Sequence, residues 1–226
     1  MRSTDYRHED KFVCNQLAFI KVKSLIDSRL FLGCYPSRFV YSLYFDTPTL
    51  DYFADNLSGV KDRIKHRLRW YSSESGDMFG FQLESKLKNG RVGKKIIRPI
   101  QGINLNTYVT DLKMLIKQSL LPTDDLIYAW DSLDMQLFCR YRREYYQNPY
   151  QIRCTFDTDL SYALPLSQRL CELDYSAISS SNIIEFKYSV DQRFHAVNIL
   201  KDMPVPSTRC SKYSLGQAMI YGHSYL

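Results

Sequence analysis

Charged and apolar residues alternate along much of the chain, and the clearest case is the segment 61–71. Every second position there carries a cation, and this set is Arg63, Lys65, Arg67 and Arg69. The positions between them are largely apolar, and they are Ile64, His66, Leu68 and Trp70. Side chains alternate between the two faces of a strand, whereas a helix would distribute these cations around its circumference. The segment therefore predicts a strand with one cationic face and one apolar face.

The same period of two recurs in other segments. Strands are predicted at 6–14, 39–45, 79–88, 91–98, 137–146, 151–160 and 182–188. In the last of these, Glu185 and Lys187 share one face, opposite Ile184, Phe186 and Tyr188. Asn89-Gly90 between two strands predicts a tight hairpin turn.

Other segments predict helices. Asn15 is a suitable N-cap for a helix that reaches about residue 32. Its apolar stripe is predicted to consist of Leu17, Ile20, Leu25 and Ile26. Further helices are predicted at 49–56, 105–120 and 192–201, and after Ser211.

Many charged-faced strands with helices between them predict an α+β fold. We expect one domain over residues 1–226, an antiparallel barrel closed on its charged face, with helices packed outside. Like charges that face inward cost several kcal/mol each unless they are compensated. A bound polyanion and a few carboxylates would compensate them. The simpler alternative for any single strand is a solvated basic face.

Composition limits the class of protein further. The net charge of +6 over 226 residues is modest, so the preference for anions depends on where the cations lie. Six scattered cysteines without a CxxC pair predict reduced thiols and not a disulfide framework or a zinc site. The polar start and the lack of a long apolar run predict a cytoplasmic protein.

Eight short motifs in order resemble the VTC (vacuolar transporter chaperone) domain, the polyphosphate polymerase branch of the triphosphate tunnel metalloenzymes. The similarity extends from residue 6 to about residue 216. The motifs are Arg7-His8-Glu9-Asp10-Lys11, Tyr44-Phe45-Asp46-Thr47, His66-Arg67-Leu68-Arg69-Trp70-Tyr71, Leu83-Glu84-Ser85-Lys86, Tyr141-Arg142-Arg143, Arg153-Cys154-Thr155-Phe156-Asp157, Ile184-Glu185-Phe186-Lys187-Tyr188 and Ser211-Lys212-Tyr213.

The resemblance implies an eight-stranded tunnel that binds triphosphate with Mn²⁺ or Mg²⁺ and transfers the ATP γ-phosphate to a growing polyphosphate chain. The positions that match catalytic phosphate-binding residues are Lys11, Arg67, Arg69, Lys86, Arg143 and Lys212. Further substrate-binding candidates are Arg7, Lys65, Lys94, Lys95, Arg153, Lys187, Arg209 and Ser211. Glu185 matches the metal-binding carboxylate, and Glu9 is a second metal candidate.

Several assignments have open alternatives. Glu84 and Glu9 are each interpreted first as ion-pair partners of neighbouring cations. Asp157 is interpreted as a brace for Arg153, with metal ligation as the alternative. Ser211 is either a phosphate contact or a helix N-cap. Which of Arg91, Lys94 and Lys95 faces the tunnel is open.

The expected ligands are ATP with polyphosphate or triphosphate, and no nucleic acid is expected. Related hydrolases carry Glu-x-Glu-x-Lys on their first strand, and here Arg7 replaces the first Glu. This departure favours the polymerase branch. Hydrolysis of inorganic or nucleoside triphosphate and binding of polyphosphate without turnover are the alternatives.

Overall fold

The computed structural model describes residues 7–73, 76–89 and 92–222. The strands are β1 (Arg7–Cys14), β2 (Leu32–Asp46), β3 (Arg63–Ser72), β4 (Met78–Asn89), β5 (Val92–Pro99), β6 (Asp134–Gln147), β7 (Arg153–Ala163), β8 (Ala177–Ile178) and β9 (Asn182–Ser189). The helices are α1 (Gln16–Ser28), α2 (Asp51–Ser58), α3 (Leu112–Gln118), α4 (Leu126–Ala129), α5 (Arg193–Leu200) and α6 (Lys212–Tyr221). None of the helices in these ranges is long and apolar enough to cross a membrane.

The strands form one mostly antiparallel sheet in the order β1-β9-β7-β6-β2-β3-β4-β5, with β8 paired to β7. This order is an open path of eight strands with β8 beside it, and the resemblance implies a tunnel of eight strands. The α+β class is confirmed. Closure into a barrel is not seen in the pairing of the described strands, and it stays a prediction.

The chain divides into two compact units, and each is built around its own part of these strands. The first unit comprises Met1–Arg38, Tyr141–Leu160 and Ser179–Cys210. In its core α1 packs over the apolar faces of β1, β7 and β9, as the edge-to-face contact between Phe19 and Phe156 shows. The prediction of a single domain stays a prediction.

The second unit comprises Phe39–Arg140, Ser161–Ile178 and Ser211–Leu226. Its core contains the apolar face of β3, where Leu68 and Trp70 are fully buried. Trp70 lies in stacked contact with Tyr41 and Phe81. The alternation along β3 therefore has the expected cause, because one face of the strand packs into the hydrophobic core.

The apolar stripe predicted for α1 is wrong in two of its four positions. Leu17 and Ile20 are 65 % and 53 % exposed, whereas the buried positions are Ala18, Phe19, Val22 and Ile26. Phe19, Val22 and Ile26 recur at intervals of three and four, which places them on one face of the helix. The N-cap is confirmed, because the Asn15 side chain accepts a hydrogen bond of 2.9 Å from the Ala18 amide.

Element boundaries also differ from the predictions. The first helix ends at Ser28 and β2 begins at Leu32, so the predicted helix is too long. The helix predicted at 105–120 is reduced to α3 with a short 3₁₀ turn before it. The pairing of Asn89 with Val92 confirms a hairpin, while its turn residues Gly90 and Arg91 lie outside the described residues.

Candidate functional site

The cationic face of β3 in the second unit surrounds one buried carboxylate, that of Glu84 on β4. Arg67 Nη2 lies 2.6 Å and Lys95 Nζ lies 2.7 Å from its oxygens. Arg69 Nη1 lies 3.9 Å away, and Gln82 donates a hydrogen bond of 3.0 Å to the same carboxylate. We call Arg67, Arg69, Gln82, Glu84 and Lys95 the Glu84 cluster. The members of this cluster meet because β4, which carries Gln82 and Glu84, lies between β3, which carries the two arginines, and β5, which carries Lys95.

The charge balance of the Glu84 cluster favours anions. Burial alone would raise the pKa of Glu84, but the charges of Arg67, Arg69 and Lys95 outweigh this effect and lower the pKa to about 2. The carboxylate is therefore ionised at neutral pH. Among the described residues, three cations lie around this carboxylate, and such a concentration of positive charge suits an anionic ligand.

The register also separates Lys95 from Lys94. Lys95 pairs across the hairpin with Lys86, and Lys94 pairs with Leu87, which places Lys94 on the opposite face of β5. Lys86 belongs to the same face as Glu84 and is exposed. Lys95 is therefore the hairpin lysine that joins the cationic face. Arg91 lies outside the described residues.

Lys65 fixes the start of α6. Its Nζ donates to Asn56 Oδ1 at 2.7 Å and to Ser211 Oγ at 3.1 Å. Asn56 in turn donates to Ser214 Oγ at 2.8 Å. Ser211 is the N-cap of α6, as one sequence interpretation held, and half-buried Lys212 is the first residue of the helix. Asn56 was not predicted as a site residue.

In the first unit, a second buried carboxylate, that of Glu185 on β9, lies among cations. Lys11 Nζ is 3.6 Å from Glu185 and 2.8 Å from Glu9. Lys187 on the same strand forms an ion pair with Glu185. In the register, Lys11 on β1 and Thr155 on β7 flank Glu185 on its two sides. We call Glu9, Lys11, Thr155, Glu185 and Lys187 the Glu185 cluster.

Glu185 stays ionised although it is only 6 % exposed. Burial would raise its pKa, but the charges of Lys11, Lys187 and Arg143 lower the pKa well below its ordinary value. A charged carboxylate is the type of hard oxygen ligand that a divalent cation such as Mg²⁺ prefers.

Arg143, on β6 in the same unit, is held by Asp157 on β7. Its Nε and Nη2 donate to the two oxygens of that carboxylate at 2.5 and 2.7 Å. The interpretation of Asp157 as a brace for Arg153 is therefore wrong. Arg153 is exposed and pairs across the strands with Lys187, while Asp157 is fully buried beneath Arg143.

The remaining predicted residues of the first unit are less constrained. Arg209 is exposed at the end of the unit. The next residue, Cys210, accepts a hydrogen bond of 3.4 Å from Lys11 through its carbonyl. Arg7 begins β1, and its side chain is not among those described.

The donor set of the Glu185 cluster fits a hard divalent ion that brings its own phosphate ligands. Mg²⁺ is typically held by one or two carboxylates plus substrate phosphates, and Glu185 and Glu9 are the carboxylates present. Within the described ranges, no three His, Cys, Asp or Glu side chains form a group that could hold a metal alone. The Glu185 cluster therefore suits a divalent metal ion that arrives already bound to a phosphate ligand.

Two hydroxyl groups of these charged faces were missed by the sequence interpretation. Oγ of Ser42 and Oγ1 of Thr155 are buried and have no hydrogen-bond partner in the described part of the chain. Ser42 pairs across the strands with Arg69, and Thr155 pairs with Glu185. A hydroxyl residue that alternates in step with the charged residues of its strand is the sequence signal that could have identified them.

His66 has a packing role on the apolar side of β3. It is buried, and its Nδ1 lies 2.9 Å from Ser85 Oγ. The same Oγ accepts a hydrogen bond of 3.0 Å from Arg98 Nη1. Burial, followed by the charge of Arg98, lowers the pKa of His66 to about 4, so the ring is neutral at pH 7.

Comparison with known families is consistent with this arrangement. The family model described as the VTC domain matches residues 6–221. No curated protein matches the sequence.

Three solved structures share the fold at low sequence identity. A putative adenylyl cyclase from Hippeastrum, whose title reports a dominant triphosphatase activity, aligns with a TM-score of 0.56 at 14 % identity, over 93 % of this chain and 94 % of its own. The PH1819 protein of Pyrococcus horikoshii gives 0.53 at 18 % identity, over 93 % and 97 %. A putative adenylate cyclase from Vibrio parahaemolyticus gives 0.51 at 10 % identity, over 94 % and 99 %.

Proposed function

We propose that this chain, which belongs to the VTC domain family, transfers the γ-phosphate of ATP to a growing polyphosphate chain with the help of Mn²⁺ or Mg²⁺. The observation that carries the proposal is the gathering of Arg67, Arg69 and Lys95 around one buried, ionised carboxylate in the Glu84 cluster. Such a surface is stabilised by a polyanion.

The residue types suit phosphoryl transfer, which depends mainly on positioning and on neutralising charge. Arg67 and Arg69 can each hold two phosphate oxygens, whereas lysines act as point charges. The terminal phosphate of a polyphosphate acceptor is already an anion, so no general base has to remove a proton from it. The residues proposed for direct phosphate contact are Lys11, Arg67, Arg69, Lys86, Arg143 and Lys212.

Glu185, with Glu9 beside it, would hold the divalent ion. When bound, the ion supplies additional neutralisation of the phosphate oxygens. Lys11 lies between the two carboxylates and can orient both of them. A barrel closed on its charged face and a cytoplasmic location, where ATP is available, remain parts of the proposal.

Hydrolysis of triphosphate is the second candidate, and one observation favours it. Glu9 and Lys11 retain part of the Glu-x-Glu-x-Lys pattern of related hydrolases, and they form an ion pair of 2.8 Å. In that reaction water replaces the polyphosphate end as the acceptor.

Incubation of the pure protein with γ-³²P-labelled ATP and Mn²⁺, followed by gel electrophoresis, distinguishes these activities. A ladder of labelled chains is the expected result. Labelled free phosphate would indicate the hydrolase, and unchanged ATP would indicate binding without turnover. The double variant Arg67→Ala/Arg69→Ala controls for contaminating kinases, because its preparation should form no ladder.

A further inference from the structure

A β-bulge interrupts the pairing of β3 with β4 in the second unit. Arg69 pairs with Gln82 but Tyr71 pairs with Phe79, so Gly80 and Phe81 together oppose Trp70. Gly80 has a φ of 70°, in the left-handed region that glycine adopts without strain. A Cβ at Gly80 would lie 3.3 Å from the ring of Tyr71, so glycine also permits the close approach of that ring.

The bulge changes the face on which Phe79 lies. Simple alternation along β4 would place Phe79 on the face opposite Gln82 and Glu84. The extra residue instead brings it beside Tyr71, and their rings stack with centroids 5.9 Å apart and an interplanar angle of 29°. Phe81 takes the other face and packs on Trp70. Bulges commonly re-aim a side chain in this way.

Phe79 remains substantially open to solvent on that face. Its exposed fraction is 44 %, and half-buried Tyr71 supports the ring from within the sheet. A single exposed apolar residue is common on protein surfaces. Here, however, the aromatic pair continues the row of β3 that contains Arg67 and Arg69, whose positive charge favours phosphate.

The spacing matches an extended nucleotide. Arg67, Arg69 and Tyr71 follow one another at two-residue intervals, so the row extends over ~13 Å at ~3.3 Å per residue. A nucleoside triphosphate whose phosphates contact the arginines can place its base at the aromatic end. Aromatic rings bind any base through its π-face, without selecting its identity.

We propose that Phe79, supported by Tyr71, forms a base-stacking subsite for a nucleoside triphosphate whose phosphates lie on Arg67 and Arg69. This inference rests on the proposed function, since it requires triphosphate binding on the cationic face of β3. It makes a nucleoside triphosphate, and not inorganic triphosphate, the preferred donor. It also predicts that ATP and GTP bind with similar affinity.

The test compares dissociation constants for ATP and inorganic triphosphate by calorimetry in one buffer. Phe79→Leu keeps apolar bulk but removes the π-face, and it should weaken ATP binding by about tenfold. The same substitution should leave the affinity for inorganic triphosphate unchanged. Phe79→Trp should bind ATP at least as tightly as the parent protein.

A matched control is Phe194→Leu, which changes a 74 % exposed phenylalanine on α5 of the first unit and should alter neither constant. Unchanged ATP affinity in Phe79→Leu, or equal weakening for both ligands, would overturn the base subsite while the parent protein still binds triphosphate. If the parent protein binds neither ligand, the proposed function fails and the subsite fails with it. Circular dichroism confirms that each variant is folded.

Discussion

The phenolic hydroxyl of Tyr213 donates a hydrogen bond of 2.8 Å to Oδ2 of Asp46. The same carboxylate accepts hydrogen bonds of 2.9 Å from the amides of Tyr52 and Phe53 in the first turn of α2. One buried carboxylate therefore ties the start of α6 to the start of α2. Lys212, the residue before Tyr213, is the first residue of α6.

The Tyr213 contact predicts a loss of stability on removal of one hydroxyl. Tyr213→Phe keeps the stacked contact with Tyr44, whose ring centroid lies 5.1 Å away. Loss of a donor to a buried acceptor costs ~1–3 kcal/mol, so the free energy of unfolding should fall by that amount. Urea unfolding measures it. Tyr128→Phe, at an 84 % exposed position of α4 in the same unit, is the control and should change stability by less than ~0.5 kcal/mol.

Replacement of Arg69 by Ala should weaken triphosphate binding. Each charge-assisted phosphate contact is worth ~1.5–3 kcal/mol, which corresponds to roughly a 10- to 150-fold higher dissociation constant. Arg29→Ala removes the same charge from a surface ion pair with Asp202 and should bind triphosphate normally. Calorimetric titration compares the two variants, and equal affinities would remove the cationic face of β3 from the proposed site.

The lowered pKa of Glu84 predicts a pH dependence of stability. Its pKa falls from an ordinary 4.5 to about 2 in the folded protein, so ionised Glu84 stabilises the fold. This stabilisation is complete above pH 4.5 and is lost as the pH falls from 4.5 towards 2. At ~1.4 kcal/mol per pKa unit it amounts to about 3 kcal/mol.

Glu84→Gln should therefore be less stable than the parent protein at pH 7, and the difference should shrink below pH 4.5. Chemical denaturation at a series of pH values measures the difference. A constant difference across that range would show that the Glu84 ion pairs do not stabilise the fold.

Glu185→Gln separates two roles of this carboxylate, because it preserves shape and removes charge. If Glu185 holds the metal, the variant should bind triphosphate in metal-free buffer but lose the stimulation of turnover by Mn²⁺. A variant that retains full metal-stimulated turnover would move the metal site to another carboxylate, and Glu9 is the neighbour to test next. Calorimetry and the labelled-ATP assay provide the two readouts.

Local sequence determined which face of each strand is charged. The period of two along β3 and β9 placed Arg67, Arg69 and Glu185 on charged faces and Trp70 and Ile184 on apolar faces. The positions of Trp70 and Ile184 in the two hydrophobic cores confirm this assignment. This was predictable because alternation in a strand follows from backbone geometry alone. The Asn15 and Ser211 caps were recognisable for the same reason, since a cap acts within one turn.

Tertiary structure decided which charges meet. Asp157 pairs with Arg143 on the neighbouring strand and not with Arg153 on its own, and Lys95 rather than Lys94 reaches Glu84. Both outcomes depend on strand register, which is set by pairing between segments distant in sequence. The bulge at Gly80 turned Phe79 to a face that simple alternation excludes. The buried face of α1 likewise depends on which side packs against the sheet, because Leu17 is as apolar as the residues that became core.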